Sequence, residues 1–158
     1  KQKTAYEMLR SLVGSEMCIR DRYGTDVKFN VIETPGHTLD HIVYVDSENL
    51  FCGDTLFACG CGRLFEGTYD EMFESLLKIS SLTPNTKVYC AHEYTKANIK
   101  FALTIDGNNH QLNERCRKLQ DVEITIPSLL QEELETNPFL RVKTSEEFKL
   151  IRKRKDEF

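Results

Sequence analysis

The chain has 158 residues, a hydrophobic fraction of 40%, a charged fraction of 29% and a formal net charge of -4, the profile of one folded domain or of one domain with a small appendage. The acidic balance gives no overall pull toward nucleic acid, and no apolar run nears the length of a membrane span, so a soluble protein without membrane contact is expected. Six irregularly spaced cysteines do not form a disulfide framework in a chain this long, and they point to a reducing, cytoplasmic compartment.

Residues 1–22, KQKTAYEMLRSLVGSEMCIRDR, sit apart from the rest of the chain. Tyr6, Leu9, Leu12 and Val13 could form a short amphipathic turn, but Gly14-Ser15 interrupts it and the residues after it have no period. One reading is a flexible terminal arm. The other, which is preferred, is that SEMCIRDR resembles translated adapter or vector sequence and carries no functional information. No signal peptide is visible in this segment, which does not begin with Met.

From Val27 the pattern becomes regular. Val27, Phe29 and Val31 alternate with polar residues, the period of a half-buried strand, and Thr34-Pro35-Gly36 breaks it just before His37. Ile42 to Val45, a turn at Asp46 to Asn49, and Leu50 to Cys52 predict a hairpin. That hairpin leads through Gly53 and Asp54 into the loop ACGCGR, where Cys59 and Cys61 form a C-x-C pair. No partner pair stands at zinc-finger spacing, so the two are read as small residues of a turn. Thr68 and Glu71 form a capping box ahead of a helix with Met72, Phe73, Leu76 and Leu77 on its apolar side, ending near Ser81. Thr83-Pro84-Asn85 then turns the chain into a strand over Lys87 to Cys90. Strand, helix and strand in that order favour an α/β fold.

The same local grammar occurs three times. An apolar strand breaks at a small residue, and His37, Asp54 or His92 comes within a residue or two. The expectation is that these three side chains leave one rim of a sheet and meet at a metal. Zinc and iron both accept imidazole with carboxylate, so ligand type does not choose the ion. His41 lies where a strand is expected and is read as a packing or supporting residue. Arg63 is either a solvated charge or an anion-binding guanidinium beside the metal cleft.

After His92 no further strong strand is expected. Helices are predicted over Thr95 to Ile105, around Leu112, Cys116 and Leu119, from a cap at Ser128 with Gln131 to Asn137-Pro138, and from Ser145 onward through Phe148 and Ile151. This helical appendage could cap a substrate. Arg152 and Lys155, three apart in the basic tail, are either a solvated helix face or a carboxylate clamp.

With these residues in place, the chain resembles hydroxyacylglutathione hydrolase (glyoxalase II) of the metallo-β-lactamase superfamily. The resemblance is carried by TPGHT at Thr34 to Thr38, GDTLF at Gly53 to Phe57, GCGRLFEGT at Gly60 to Thr68, VYCAHEYTKANIKFA at Val88 to Ala102, IPSLLQEELETNPFLR at Ile126 to Arg141 and the terminal RKRKDEF. It implies part of an αββα sandwich over residues 23–93, a helical glutathione-binding domain over 94–158, and a non-family arm over 1–22. It implies two divalent metal ions, zinc first and iron or manganese next, with His37 and His92 each on one ion and Asp54 bridging both and acting through the water they activate. Arg63, Phe65, His92, Tyr94, Asn98, Arg152 and Lys155 would line the glutathione site, Phe65 standing where relatives often carry Tyr, without that residue's hydrogen bond. The implied reaction is hydrolysis of S-D-lactoylglutathione to D-lactate and glutathione, in methylglyoxal detoxification, by a cytoplasmic monomer.

One departure from the family pattern has consequences. The motif T-H-x-H-x-D-H, which would bring four further ligands, has no counterpart before His37, and no His precedes that residue. The chain is therefore expected to be truncated at its start, to bind metal poorly, to turn over little or no thioester and so to be inactive as it stands, and to leave apolar sheet surface uncovered. The rival enzyme reading is a persulfide dioxygenase of the same superfamily using one iron, against which the GCGR loop and basic tail argue. A non-catalytic glutathione-binding module is the rival from another class, and nucleic-acid binding through RKRK lacks a patterned surface or aromatic platform.

Overall fold

The computed structural model describes residues 28–158 and the backbone of Ile19 and Arg20. The expectations for residues 1–22, apart from that dipeptide, and the place of Val27 lie outside the described residues. Among them the strands are β1 (Ile19–Arg20), β2 (Lys28–Glu33), β3 (Ile42–Val45), β4 (Asn49–Gly53), β5 (Leu56–Phe57), β6 (Gly60–Cys61), β7 (Lys87–Cys90) and β8 (Ser128–Leu129). The helices are α1 (Tyr69–Ser80), α2 (Thr95–Asp106), α3 (His110–Lys118), α4 (Leu130–Thr136), α5 (Pro138–Arg141) and α6 (Ser145–Asp156).

The main sheet has the order β1-β2-β3-β4-β7-β8, and β5 and β6 form a separate small hairpin. β3 is antiparallel to both β2 and β4, and β4 is parallel to β7. Consequently β2, β4 and β7 all run in one direction, and their carboxyl ends share a rim. The link from β4 to β7 contains α1, as a parallel connection requires.

Alternation divides the strands into two faces. Val43, Val45, Leu50, Cys52 and Val88 are buried and join Met72, Phe73, Leu76 and Ile79 of α1 in one cluster. Leu130, Phe139 and Phe148 of α4, α5 and α6 belong to the same cluster, so the later helices complete the core of the sheet. Cys59, Ile99, Ala102 and Leu112 make a second, smaller cluster. On the other sheet face, Phe29 meets Tyr44 and Phe51 edge-on with centroids 6.4 and 5.9 Å apart, and Phe51 stacks on Tyr89 at 5.1 Å. Phe51 is 40% exposed, and Phe29, Tyr44 and Tyr89 are half-buried.

Three local expectations need correction. Leu77 is 44% exposed, and Ile79 takes the place on the buried stripe that the sequence reading gave it. Ser128 does not cap a helix: it pairs with Val88 in β8, a strand that two residues are too few to announce, and Leu129 occupies the N-cap of α4. The Glu132 carboxylate accepts from Leu129 N at 3.4 Å, so the acidic partner is one position later than Gln131.

The capping box of α1 forms as expected, with Thr68 Oγ1 accepting from Glu71 N at 3.2 Å and Glu71 Oε2 accepting from Thr68 N at 2.7 Å. Thr68→Ala should lower stability by about 1 kcal/mol, read from the urea midpoint. The Thr68 N–H, then its hydroxyl, hold the Glu71 carboxyl below its ordinary value of 4.5. Its stabilisation is therefore present above that value and lost as pH falls through the lower folded-state one. Glu71→Gln should flatten that part of the acid unfolding curve.

Candidate metal centre

His37, Asp54 and His92 come after the ends of β2, β4 and β7 respectively, and the shared rim brings them together. His92 Nε2 stands 3.4 Å from Asp54 Oδ1, and His37 Nε2 stands 3.9 Å from Asp54 Oδ2. The carboxylate therefore lies between two imidazoles and turns a different oxygen to each. His37 Nδ1 donates to the Arg63 carbonyl at 2.7 Å. In the neutral ring this leaves a lone pair on Nε2 facing Asp54.

A lone pair set against a carboxylate oxygen is a donor pair for a cation. Bonds of about 2.0–2.2 Å from imidazole nitrogen and carboxylate oxygen, meeting at a bent angle, would span separations of this size. The donor set thus fits a divalent ion on either side of Asp54, but thinly. Among the described residues, no group of three or more His, Cys, Asp and Glu side chains is arranged to hold one ion.

Two glycines and a histidine fix Asp54. Gly53 has φ +52, a left-handed turn out of β4 that a side chain would strain. A Cβ at Gly62 would lie 1.9 Å from the Asp54 carbonyl oxygen, so the loop carrying Arg63 passes where only hydrogen fits. His41 Nε2 accepts from Asp54 N at 3.4 Å, and its Nδ1 lies 3.1 Å from Thr55 Oγ1. Burial, then the neighbouring His37, lower the His41 pKa against the pull of Asp54, so a neutral ring supports the Asp54 backbone, as the sequence reading expects of a supporting residue.

A cleft of about 480 Å³ opens on this centre. Arg63, Phe65, Tyr94, Asn98, Arg152 and Lys155 all line it together with His37, Asp54 and His92. Tyr94 stacks on His92 at 4.9 Å and meets Phe57 edge-on at 5.3 Å, making an aromatic side to the cleft. Phe65 lies 5.0 Å from the His37 ring and is exposed. Asn98 is buried, and its amide donates to the Ala58 carbonyl at 3.1 Å.

The cationic side is held by a residue that sequence reasoning missed. Asp156 Oδ1 accepts from Arg63 Nε at 3.2 Å and from Arg152 Nη2 at 3.0 Å. Arg152 is buried; its Nη1 donates to the Cys61 carbonyl at 3.0 Å, and its Nε has no hydrogen-bond partner among the described residues. Arg152 is therefore no solvated face of α6, although Arg63 remains largely exposed. Lys155 lies 4.9 Å over the Phe101 ring, and burial, then Arg152, lower its pKa. The i, i+4 spacing of Arg152 and Asp156 was the available signal.

Cys59 and Cys61 are buried, which pushes their thiols up to about 12 and about 11. Gly62→Ala should lower stability by roughly 1–3 kcal/mol through overpacking against Asp54, measured by urea unfolding. It should also weaken zinc binding, measured by competition with a chromogenic chelator.

Comparison with known proteins adds identity to geometry. Residues 93–158 match the family described as Hydroxyacylglutathione hydrolase C-terminus, and residues 21–92 match the Metallo-beta-lactamase superfamily. A protein of a Bradyrhizobium species named Hydroxyacylglutathione hydrolase is 54% identical over 117 residues, 70% of this chain and 46% of that protein. One of Pelagibacter ubique with the same name is 48% identical over 134 residues, 81% of this chain and 56% of that protein. The chain thus spans about half the length of the curated relatives it matches. Among solved structures, ETHE1 from Myxococcus xanthus superposes with a TM-score of 0.64 at 26% identity, covering 91% of this chain and 52% of that one. A metallo-beta-lactamase from Staphylococcus aureus shares the fold, with a TM-score of 0.62 at 21% identity over 89% of this chain and 37% of that one.

Proposed function

The chain belongs to the hydroxyacylglutathione hydrolases of the metallo-β-lactamase superfamily, and from that premise we propose that its cleft binds a glutathione thioester for metal-dependent hydrolysis, S-D-lactoylglutathione being the substrate. The observation that carries the reading is one cleft holding both a carboxylate between two imidazole nitrogens and a wall of three cations. Membership of the superfamily implies divalent metal ions, and we propose zinc, with iron or manganese as substitutes.

His37 and His92 would hold one ion each and Asp54 would bridge them. Ions so held supply Lewis acidity, bringing water to a nucleophilic state near neutral pH and polarising the thioester carbonyl. The protein's own part is orientation. Arg63, Arg152 and Lys155 face the carboxylates of the glutathione moiety, while Tyr94 and Phe57 give its aliphatic chain an apolar side. Asn98, committed through its amide, keeps a carbonyl oxygen for an N–H of the peptide. With two protein donors per ion among the described residues, weak metal binding and slow turnover by this chain are part of the proposal. So is action as a cytoplasmic monomer on a small molecule. The free thiols of Cys52, Cys59, Cys61, Cys90 and Cys116 support a reducing compartment, and no helix among the described residues is long and apolar enough to cross a membrane.

Relatives near 50% identity carry the hydrolase name, whereas ETHE1 is a distant superfamily relative. The hydrolase reading is therefore preferred to a dioxygenase.

Titration calorimetry with glutathione tests the binding half. Arg63→Met should weaken binding about tenfold or more, the loss of one charge-assisted hydrogen bond, while Asp54→Asn leaves glutathione binding intact and removes zinc binding. Equal affinity in the Arg63→Met variant would overturn the placement of the tripeptide. Loss of thioester absorbance from S-D-lactoylglutathione, with zinc, manganese or ferrous iron added in turn, tests the chemistry. A wild-type rate no higher than that of Asp54→Asn with every ion would overturn turnover by this chain alone, and equal inactivity once the first half of a relative is restored ahead of it would leave only a non-catalytic glutathione-binding module.

A further inference from the structure

The turn between β5 and β6 is tied down from outside itself. Cys59 at its tip has φ +55, the left-handed region that non-glycine residues seldom adopt. Four backbone groups in four consecutive residues are met by three side chains from the helical part of the chain. Cys59 N donates to Glu133 Oε2 at 2.8 Å, the Ala58 carbonyl accepts from Asn98 Nδ2 at 3.1 Å, and the Phe57 and Gly60 carbonyls both accept from Asn137 Nδ2, at 3.1 and 3.0 Å.

Behind this clamp sits a buried ion pair. Glu133 is fully buried and accepts from Arg115 Nη2 at 2.5 Å, while Arg115 Nη1 donates to Thr136 Oγ1 at 2.6 Å. Asn137 Nδ2 lies within 3.2 Å of the remaining Glu133 oxygen. Apolar residues of similar volume would often serve stability as well or better than a buried ion pair. What an apolar pair could not do is hold the Cys59 N–H in a left-handed turn. The two ends of that turn deliver side chains to the cleft: Phe57, against Tyr94 and His92, and Cys61, whose carbonyl receives Arg152 two residues before Arg63.

We propose that Glu133 and Asn137, with Arg115 as the counter-charge, are positioning residues for the cleft: they set the Phe57–Gly60 turn and through it the place of Phe57 and of the Arg63 segment. The inference rests on the reading that the cleft takes glutathione.

Asn137→Asp is the sharpest test. It keeps the oxygen that accepts from Phe139 N at 3.1 Å, and so the start of α5, but removes both donors to the turn. Glu133→Gln, nearly isosteric, is the second variant should the first not fold. Ile79→Ala, a core truncation remote from the turn, controls for lost stability. All are compared at a temperature where circular dichroism shows them folded, by glutathione calorimetry and by amide hydrogen exchange at Cys59. The expected result is about tenfold weaker glutathione binding and at least about tenfold faster Cys59 exchange in the turn variants, with Ile79→Ala within about twofold of wild type in both. Glutathione affinity that stays at the wild-type value while Cys59 exchange accelerates overturns the inference, as does an equal loss of affinity in Ile79→Ala. A wild-type chain that takes no glutathione sinks the proposed ligand itself, whereas binding indifferent to Asn137 and Glu133 sinks this inference alone.

Discussion

Antiparallel pairing of β3 with β2 and β4, joined to the parallel pairing of β4 with β7, places three strand ends on one rim. The meeting of His37, Asp54 and His92 results from that pairing before any side chain is considered. Ligand crevices outside the carboxyl ends of strands are general in open α/β sheets. Here the rim is refined by backbone that tolerates no side chain, since Gly53 turns left-handed just before Asp54 and Gly62 runs against the Asp54 carbonyl. The position of the Asp54 backbone is thus set by its glycine neighbours, with His41 as its support.

The helical segment does two things for that rim. Leu130, Phe139 and Phe148 close the core over the sheet, and the polar residues between them reach the β5–β6 turn. Alternation of buried apolar and buried polar residues in α4 and at the start of α5 is what allows both. Glu133 and Asn137 are four apart, on one side of the chain, and their hydrogen bonds to the turn cross 74 to 80 residues of sequence. Ordering one turn thereby depends on most of the fold being in place.

The parts of this arrangement that could be read from the sequence are those with local signatures. Strand-breaking Thr34-Pro35-Gly36 before His37, Gly53-Asp54 and Ala91-His92 announce their positions by the residues beside them. The Thr68–Glu71 box announces α1. Glu133 and Asn137 had no such signature, because their partners are a guanidinium or backbone groups far away in sequence, and a buried carboxylate reads in sequence like a solvated one; Asp156 offered only its i, i+4 spacing from Arg152. β8 was missed for a similar reason. Two residues carry no period, and Ser128 with Gln131 looks like a helix start until pairing with Val88 claims the serine. Leu77 was placed on the wrong side because an apolar residue at helical spacing fixes a stripe only to within its edges.

The carboxylate of Asp156, touching Arg63 and Arg152 through a single oxygen, has an electrostatic consequence. The protein as a whole is acidic, with net charge -4, so an approaching anion meets repulsion or indifference at long range. Attraction begins only within a Debye length of the cleft, about 8 Å at physiological ionic strength. Part of that local field is already neutralised from within. A compact dianion that enters fully can feel all three cations at once, whereas an extended polyanion lying across the mouth would keep most of its charge outside the screening distance.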